Sequence, residues 1–211
     1  MPAPDQIWLF RITHLQNMPH ILAHGLCPAA SVPADAAFLA IGDTTLIHAR
    51  KEMTVPIDPG GMFSEYVPFY LGARSPMLYQ IWKGYDGVAK VEQSDIVYIA
   101  VALECIKGKG LPFVFTDGHA RTKVTQFYND PADFEELDWE AIRADNWANT
   151  EEDTDRKRKK QAELMVKGIV SQDCFGHLLT FNHESRERLM QMVSDSGLRI
   201  PVHVRRDFYY S

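Results

Sequence analysis

Only three of the 211 residues are cysteines, and they are widely spaced. Cys27, Cys105 and Cys174 show no metal-ligand spacing and are odd in number, which points to a reducing compartment, the cytoplasm. Long apolar runs are missing too. No run of roughly 18 apolar residues occurs, so no membrane span is expected. Met1-Pro2-Ala3-Pro4-Asp5 lacks the basic and apolar regions of a secretory leader. The phosphate loop, the dinucleotide glycine fingerprint, the His-Glu-x-x-His helix, paired zinc cysteines and the Gly-x-Ser-x-Gly elbow are all absent. No metal is therefore expected, and any nucleotide must be held by something other than the common mononucleotide folds. Positive charge is also short. The formal net charge is -6, whereas a general duplex binder is usually basic overall.

What is present supports one domain over residues 1–211, since 45% hydrophobic content can build a real core. Charge is segregated. Residues 130–155 are acidic, and five cations follow as Arg156-Lys157-Arg158-Lys159-Lys160. Such a run is either a solvated face or a grip on a polyanion. Next come Gln161-Ala162-Glu163 and the apolar Leu164-Met165-Val166. One reading is a buried strand with Glu163 at its mouth. The other is an amphipathic helix in which Glu163 pairs with Lys159 or Lys167. Local pattern alone does not choose.

Residues 7–12 read as a first strand, with Thr13 and His14 at its end. A short helix over 17–24 is closed by Gly25. Thr13, His14 and Gly25 could converge on one ligand, or His14 could simply bond a loop. Residues 28–62 read as a covering segment, helical over 44–51, with Arg50 beneath it as an anion contact or as plain surface. Tyr66 to Tyr70 is dense in aromatics, which make either core or a stacking wall. A turn over 72–76 precedes a helical element over 77–82. Residues 95–101 form the clearest central strand. Another strand over 112–116 ends in the turn Asp117-Gly118-His119. From 121 to 154 the pattern is poor, and Trp139 and Trp147 stand as apolar anchors in a long functional loop. A strand over 175–181, a helix over 184–193 capped by Asn182, and a closing strand over 200–204 complete the chain.

Several pieces then match in order and spacing: Phe10-Arg11-Ile12-Thr13-His14, His24-Gly25-Leu26, Tyr66-Val67-Pro68-Phe69-Tyr70, Arg74-Ser75-Pro76-Met77-Leu78-Tyr79, Phe115-Thr116-Asp117-Gly118-His119 and Gln161-Ala162-Glu163. Through them essentially the whole chain resembles the DarT family, DNA ADP-ribosyltransferase toxins of bacterial toxin–antitoxin pairs. The resemblance implies an α+β, ADP-ribosyltransferase-like fold: a split, mostly antiparallel β core, surrounding helices and an NAD cleft. It implies NAD as co-substrate, transfer of ADP-ribose onto thymine in single-stranded DNA, and a cognate macrodomain antitoxin that removes the mark.

Carried over by position, Glu163 is the catalytic glutamate and Arg50 the catalytic arginine. Thr13, His14, Asn17, Gly25, Leu26 and Tyr70 become candidate NAD contacts. Arg74, His119, Arg156, Lys157, Arg158 and Lys160 become candidate DNA contacts, and 121–154 the substrate-recognition loop. Leu164-Met165 stand where the family commonly has phenylalanine, and Leu71 where phenylalanine is usual; neither touches the chemistry. No heptad argues for a dimer, so a monomer is expected. Two other functions fit the composition. A protein-modifying ADP-ribosyltransferase would suit the negative charge. A non-catalytic NAD or nucleic-acid binding module would keep all function in Glu163→Gln.

Overall fold

The computed structural model of the chain describes residues 1–31, 37–85 and 87–210. Part of the covering segment, 32–36, lies outside them. Among the described residues eight strands form one sheet: β1 (Trp8–His14), β2 (Tyr66–Tyr70), β3 (Ile96–Ala102), β4 (Phe113–Thr116), β5 (Phe127–Tyr128), β6 (Glu163–Lys167), β7 (Phe175–Thr180) and β8 (Val202–Val204). Their order is β5-β4-β6-β2-β1-β3-β7-β8. Every pairing is antiparallel except β7 with β8. Around the sheet lie α1 (Met18–His24), α2 (Thr44–Lys51), α3 (Pro76–Lys83), α4 (Leu103–Gly108), α5 (Trp139–Arg143), α6 (Arg156–Lys159) and α7 (His183–Asp195). Among the described residues no helix is long and apolar enough to cross a membrane.

The segment after the cationic run is a strand, as the first of the two readings had it. Its β-branched and long apolar side chains are buried on both faces, which favours a pleated ribbon over a helix with one wet side. β3 is sequestered in the same way, flanked by β1 and β7. Side chains alternate across the sheet. Leu9, Val67, Val97, Ile99, Leu164 and Val166 join the larger core with α1 and α7. Tyr98, Ile96 and Leu179 point to the other face and meet Leu78 and Ile81 of α3 and Tyr209. A third cluster of Val55, Phe63, Tyr66, Val114 and Met165 seats the end of the covering segment.

The expected split falls between β1 and β2. β1 pairs with β3 along seven residues but with β2 only at Phe10–Tyr70. Residues 121–154 are more ordered than their pattern implied. They contain β5, a short 3-10 turn at Pro131–Glu136 and α5. Trp139 is fully buried and donates from Nε1 to the Phe134 carbonyl.

Two of the three cysteines are paired, which the reading of a reducing compartment did not anticipate. Cys105 in α4 and Cys174 before β7 form a disulfide with Cα atoms 5.6 Å apart, and Cys27 stays free. Sixty-nine residues separate the pair, so spacing gave no signal. The adjacency arises because β3 and β7 are neighbours in the sheet. By loop-closure entropy such a bridge stabilises the fold by about 4 kcal/mol. Cys174→Ser should therefore lower the denaturant midpoint under oxidising conditions and change nothing once reductant is present in both samples.

Candidate active site

Glu163 opens β6, 5% exposed, opposite Tyr70 of β2. Arg50 reaches it from α2. Its Nη1 donates to Oε1 at 3.0 Å and its Nη2 to Oε2 at 2.7 Å, a two-pronged ion pair. The Ala120 backbone N–H donates to the same Oε1 at 3.2 Å. The Arg50 guanidinium lies over the Phe63 ring, 5.3 Å from its centroid. Burial alone would push the Glu163 carboxyl up. The Arg50 charge and hydrogen bonds, with help from His119 and the Ala120 N–H, outweigh it and hold the group below the ordinary carboxylate range. Arg50 is subject to the same contest: burial opposes its charge, and Glu163 reverses that and raises its pKa. Both groups are thus charged at neutral pH and held face to face.

The pair closes one end of a cleft of about 510 Å³. The cleft occupies the split in the sheet. Arg11, Ile12 and Thr13 of β1 and all five residues of β2 line it, with α2 as a lid and Gly25 and Leu26 at the far wall. Arg11 bridges the gap by donating from Nη1 to the Pro68 carbonyl. Among the described residues no group of three or more His, Cys, Asp or Glu side chains is placed to hold a metal.

Of the expected NAD contacts, Thr13, Gly25, Leu26 and Tyr70 line this cleft. Gly25 is required there: φ is +80° and a Cβ would stand 2.5 Å from the Val170 carbonyl oxygen. His14 and Asn17 are not brought to the cleft. Strand alternation turns the His14 ring away from Thr13. Its Nδ1 accepts from the Gln16 N–H and caps the turn after β1. Asn17, 1% exposed, uses its amide to bind the Thr13 hydroxyl and both backbone groups of Leu39. It fastens the covering segment to β1.

Of the expected DNA contacts, only His119 faces the cleft. Burial pushes its pKa down against the pull of Glu163. Its Nδ1 accepts from the Arg121 N–H, which leaves the ring proton on Nε2. Arg74 is committed inside the fold: Nε donates to the Tyr209 carbonyl and Nη1 pairs with Asp145 at 2.9 Å. Arg158 is ion-paired to Asp117 and Asp155, and packs so closely on the exit turn that a Cβ at Gly118 would meet it at 2.4 Å. Arg156 is half-buried, and Lys157 is exposed, its ammonium 5.7 Å from the Trp147 ring centroid.

Lys160 is the largest departure from expectation. It is 3% exposed and donates to the carbonyls of Ile142 and Ala144, both at 2.8 Å, tying the 121–154 loop to the start of β6. Burial pushes its pKa down to about 8. An unfolded lysine keeps its proton to higher pH. Between pH 8 and about 10 the unfolded chain therefore binds more protons, and stability rises with pH by up to about 3 kcal/mol. The difference in urea midpoint between the wild type and Lys160→Met, followed from pH 7.5 to 10, should grow in favour of the wild type. A flat difference contradicts the lowered pKa of the buried Lys160.

Arg11, Phe63, Ala120 and Gln161 belong to the site but were not singled out as candidates. Arg11 left a signal in the sequence. It is the one charged residue in an otherwise apolar first strand, and a charge there needs a cleft or a partner.

The family described as "ssDNA thymidine ADP-ribosyltransferase, DarT" matches residues 10–210. The DNA ADP-ribosyl transferase of Escherichia coli O127:H6 is 30% identical over 99% of this chain and 95% of its own length. That of Thermus sp. strain 2.9 is 32% identical over 98% of each. The solved structure of Thermus sp. 2.9 DarT in complex with ADP-ribosylated ssDNA superposes with a TM-score of 0.91, 30% identity and full coverage of both chains. The same protein in complex with NAD+ gives 0.83 and 31% identity over 99% of this chain and 100% of its own. With the family model matched over 10–210 and the fold superposing end to end, the chain belongs to the DarT family of ssDNA thymidine ADP-ribosyltransferases.

Proposed function

We propose that this chain transfers ADP-ribose from NAD to a thymine base of single-stranded DNA and acts as the toxin of a toxin–antitoxin pair. The observation that carries this reading is the buried Arg50–Glu163 pair at the end of a lidded cleft in a split sheet. NAD lies in the split, against β1, Gly25 and Tyr70. As the ribose C1′–nicotinamide bond breaks, positive charge builds on the ribose. The Glu163 carboxylate, bonded to the ribose 2′-hydroxyl in a dry site, stabilises that charge. The acceptor is a thymine ring N–H, a poor nucleophile until its proton leaves. Glu163 takes that proton, and Arg50 stabilises the negative charge growing on the thymine oxygens. His119, neutral and donating through Nε2, faces the base.

A single strand presents these atoms without unpairing a duplex. Its flanking bases run along the aromatic patch of Tyr79, Trp82, Trp147 and Tyr210. There Lys83 lies 3.6 Å from the Trp82 ring centroid and Lys157 covers Trp147. This patch, with Arg156, replaces the paired Arg158 and buried Lys160 as the grip on DNA. The partners are single-stranded DNA and a cognate macrodomain antitoxin. The chain works as a monomer in the cytoplasm. Incubation with labelled NAD and separate pools of single-stranded DNA, duplex DNA, RNA and protein tests the reading. Label should enter single-stranded DNA first; preferential labelling of protein would favour the protein-modifying alternative and overturn this one.

A further inference from the structure

A second cavity, also about 510 Å³, shares no lining residue with the catalytic cleft. Its floor is the sheet. Phe10 pairs with Ala100 across β1 and β3, and Ala100 with His177 across β3 and β7. The same row continues the other way through Tyr70 to Glu163. The cavity therefore lies on the same face as Glu163, about 19 Å away across four strand spacings. Phe208 and Tyr209, packed on Phe10 and Tyr98, form a ridge between the two sites.

The chemistry of this cavity is consistent along its length. Trp8 lies on Gly176, where a Cβ would meet the indole at 2.7 Å, and its ring sits 5.2 Å from that of His177. His177 Nδ1 and His203 Nε2 face each other at 3.2 Å. Arg186, Arg205 and His183 complete the polar lining, and no carboxylate is part of it among the described residues. Arg205 lies over Phe208, 4.4 Å from the centroid, and holds Asp207; Arg186 holds Glu187. Both ion pairs are partly exposed and can be shared with an incoming anion at little cost.

We propose that this cavity is a second single-strand subsite, taking one nucleotide of the acceptor strand with its base against Trp8 and its phosphate at the His177–His203 pair and Arg205. An aromatic face beside donors and cations is the arrangement that holds an unpaired nucleotide without regard to sequence. Its place on the row of Glu163 lets the strand that delivers the thymine also reach it. The inference rests on single-stranded DNA being the acceptor.

Anisotropy with oligothymidylates, in the absence of NAD so that nothing reacts, tests it. A dodecamer should bind the wild type at least about fivefold tighter than a tetramer, the lower end of stacking one base. His177→Ala/His203→Ala should reduce that gain and leave labelling of the tetramer in the presence of NAD unchanged. An equal gain from length in the double variant overturns the proposal. A second measurement guards against a folding defect: histidine ring NMR signals of the wild type. The dodecamer should move the His177 and His203 signals and the tetramer should not; no movement with the dodecamer, or movement only with an acidic peptide, also overturns it. If the tetramer and dodecamer are both left unlabelled by NAD in the wild type, the acceptor assignment itself fails, which is a separate outcome.

Discussion

Glu163→Gln should bind NAD and transfer almost nothing. The amide nearly preserves the shape of the carboxylate, and one oxygen still accepts from the Ala120 N–H and an Arg50 N–H. It lacks the full negative charge that opposes the ribose cation, and it cannot take the thymine proton. Loss of one oriented contact of this kind costs about 3 to 4 kcal/mol, a hundredfold to a thousandfold in rate. Glu163→Ala should lose transfer at least as completely. It also leaves the Arg50 guanidinium without its counter-charge, so its thermal midpoint should fall while that of Glu163→Gln holds closer to the wild type. Single-turnover transfer and NAD titration on both variants check this. Wild-type transfer by Glu163→Gln would remove Glu163 from the chemistry.

Arg50→Ala should lower transfer to DNA more than it lowers the slow hydrolysis of NAD to water. Water needs no help in losing charge from a base, whereas thymine does. The ion pair adds a second expectation. Without Arg50, burial acts on Glu163 against only the smaller effects of His119 and the Ala120 N–H, and its pKa rises. A carboxylate with a raised pKa is neutralised earlier as pH falls, so the acid limb of the rate profile should move to higher pH in the variant. Arg50→Lys should restore the pH profile in part, because an ammonium supplies charge but not two parallel hydrogen bonds. The ratio of transfer to hydrolysis decides the division of labour. If both rates drop together and only the pH limb moves, Arg50 serves the donor side through Glu163 and does not touch the acceptor.

How far these features could be read in advance depends on the range of the interaction. β3 was legible because a run of buried apolar residues is a local property, whereas the same kind of run in β6, beside the cations, fitted a helix as well. The lid helix was legible because Asp43 caps it and glycines and prolines end the segment beyond it. The orientation of His14 was also available, since a two-residue period sets Thr13 and His14 on opposite sides once both belong to the strand. Lys160 and Arg158 were not. Five adjacent cations look alike in sequence. Which of them is buried follows from where the Ile142 and Ala144 carbonyls and Asp117 arrive, contacts that span from 16 to 41 residues. The disulfide is hidden for the same reason.

The single ladder step between β1 and β2 bears on how this enzyme can drift. Beyond Phe10 and Tyr70 the two strands part, and the inner edge of β1 leaves peptide groups without a β2 partner beside the cleft proposed for the dinucleotide. A peptide group is the same whichever residue carries it. Substitutions along that edge can therefore accumulate with little effect on how the donor is held, provided the strand keeps its register. Changes that shift the backbone by one step, such as an insertion in β1, should be far less tolerated than any single replacement there.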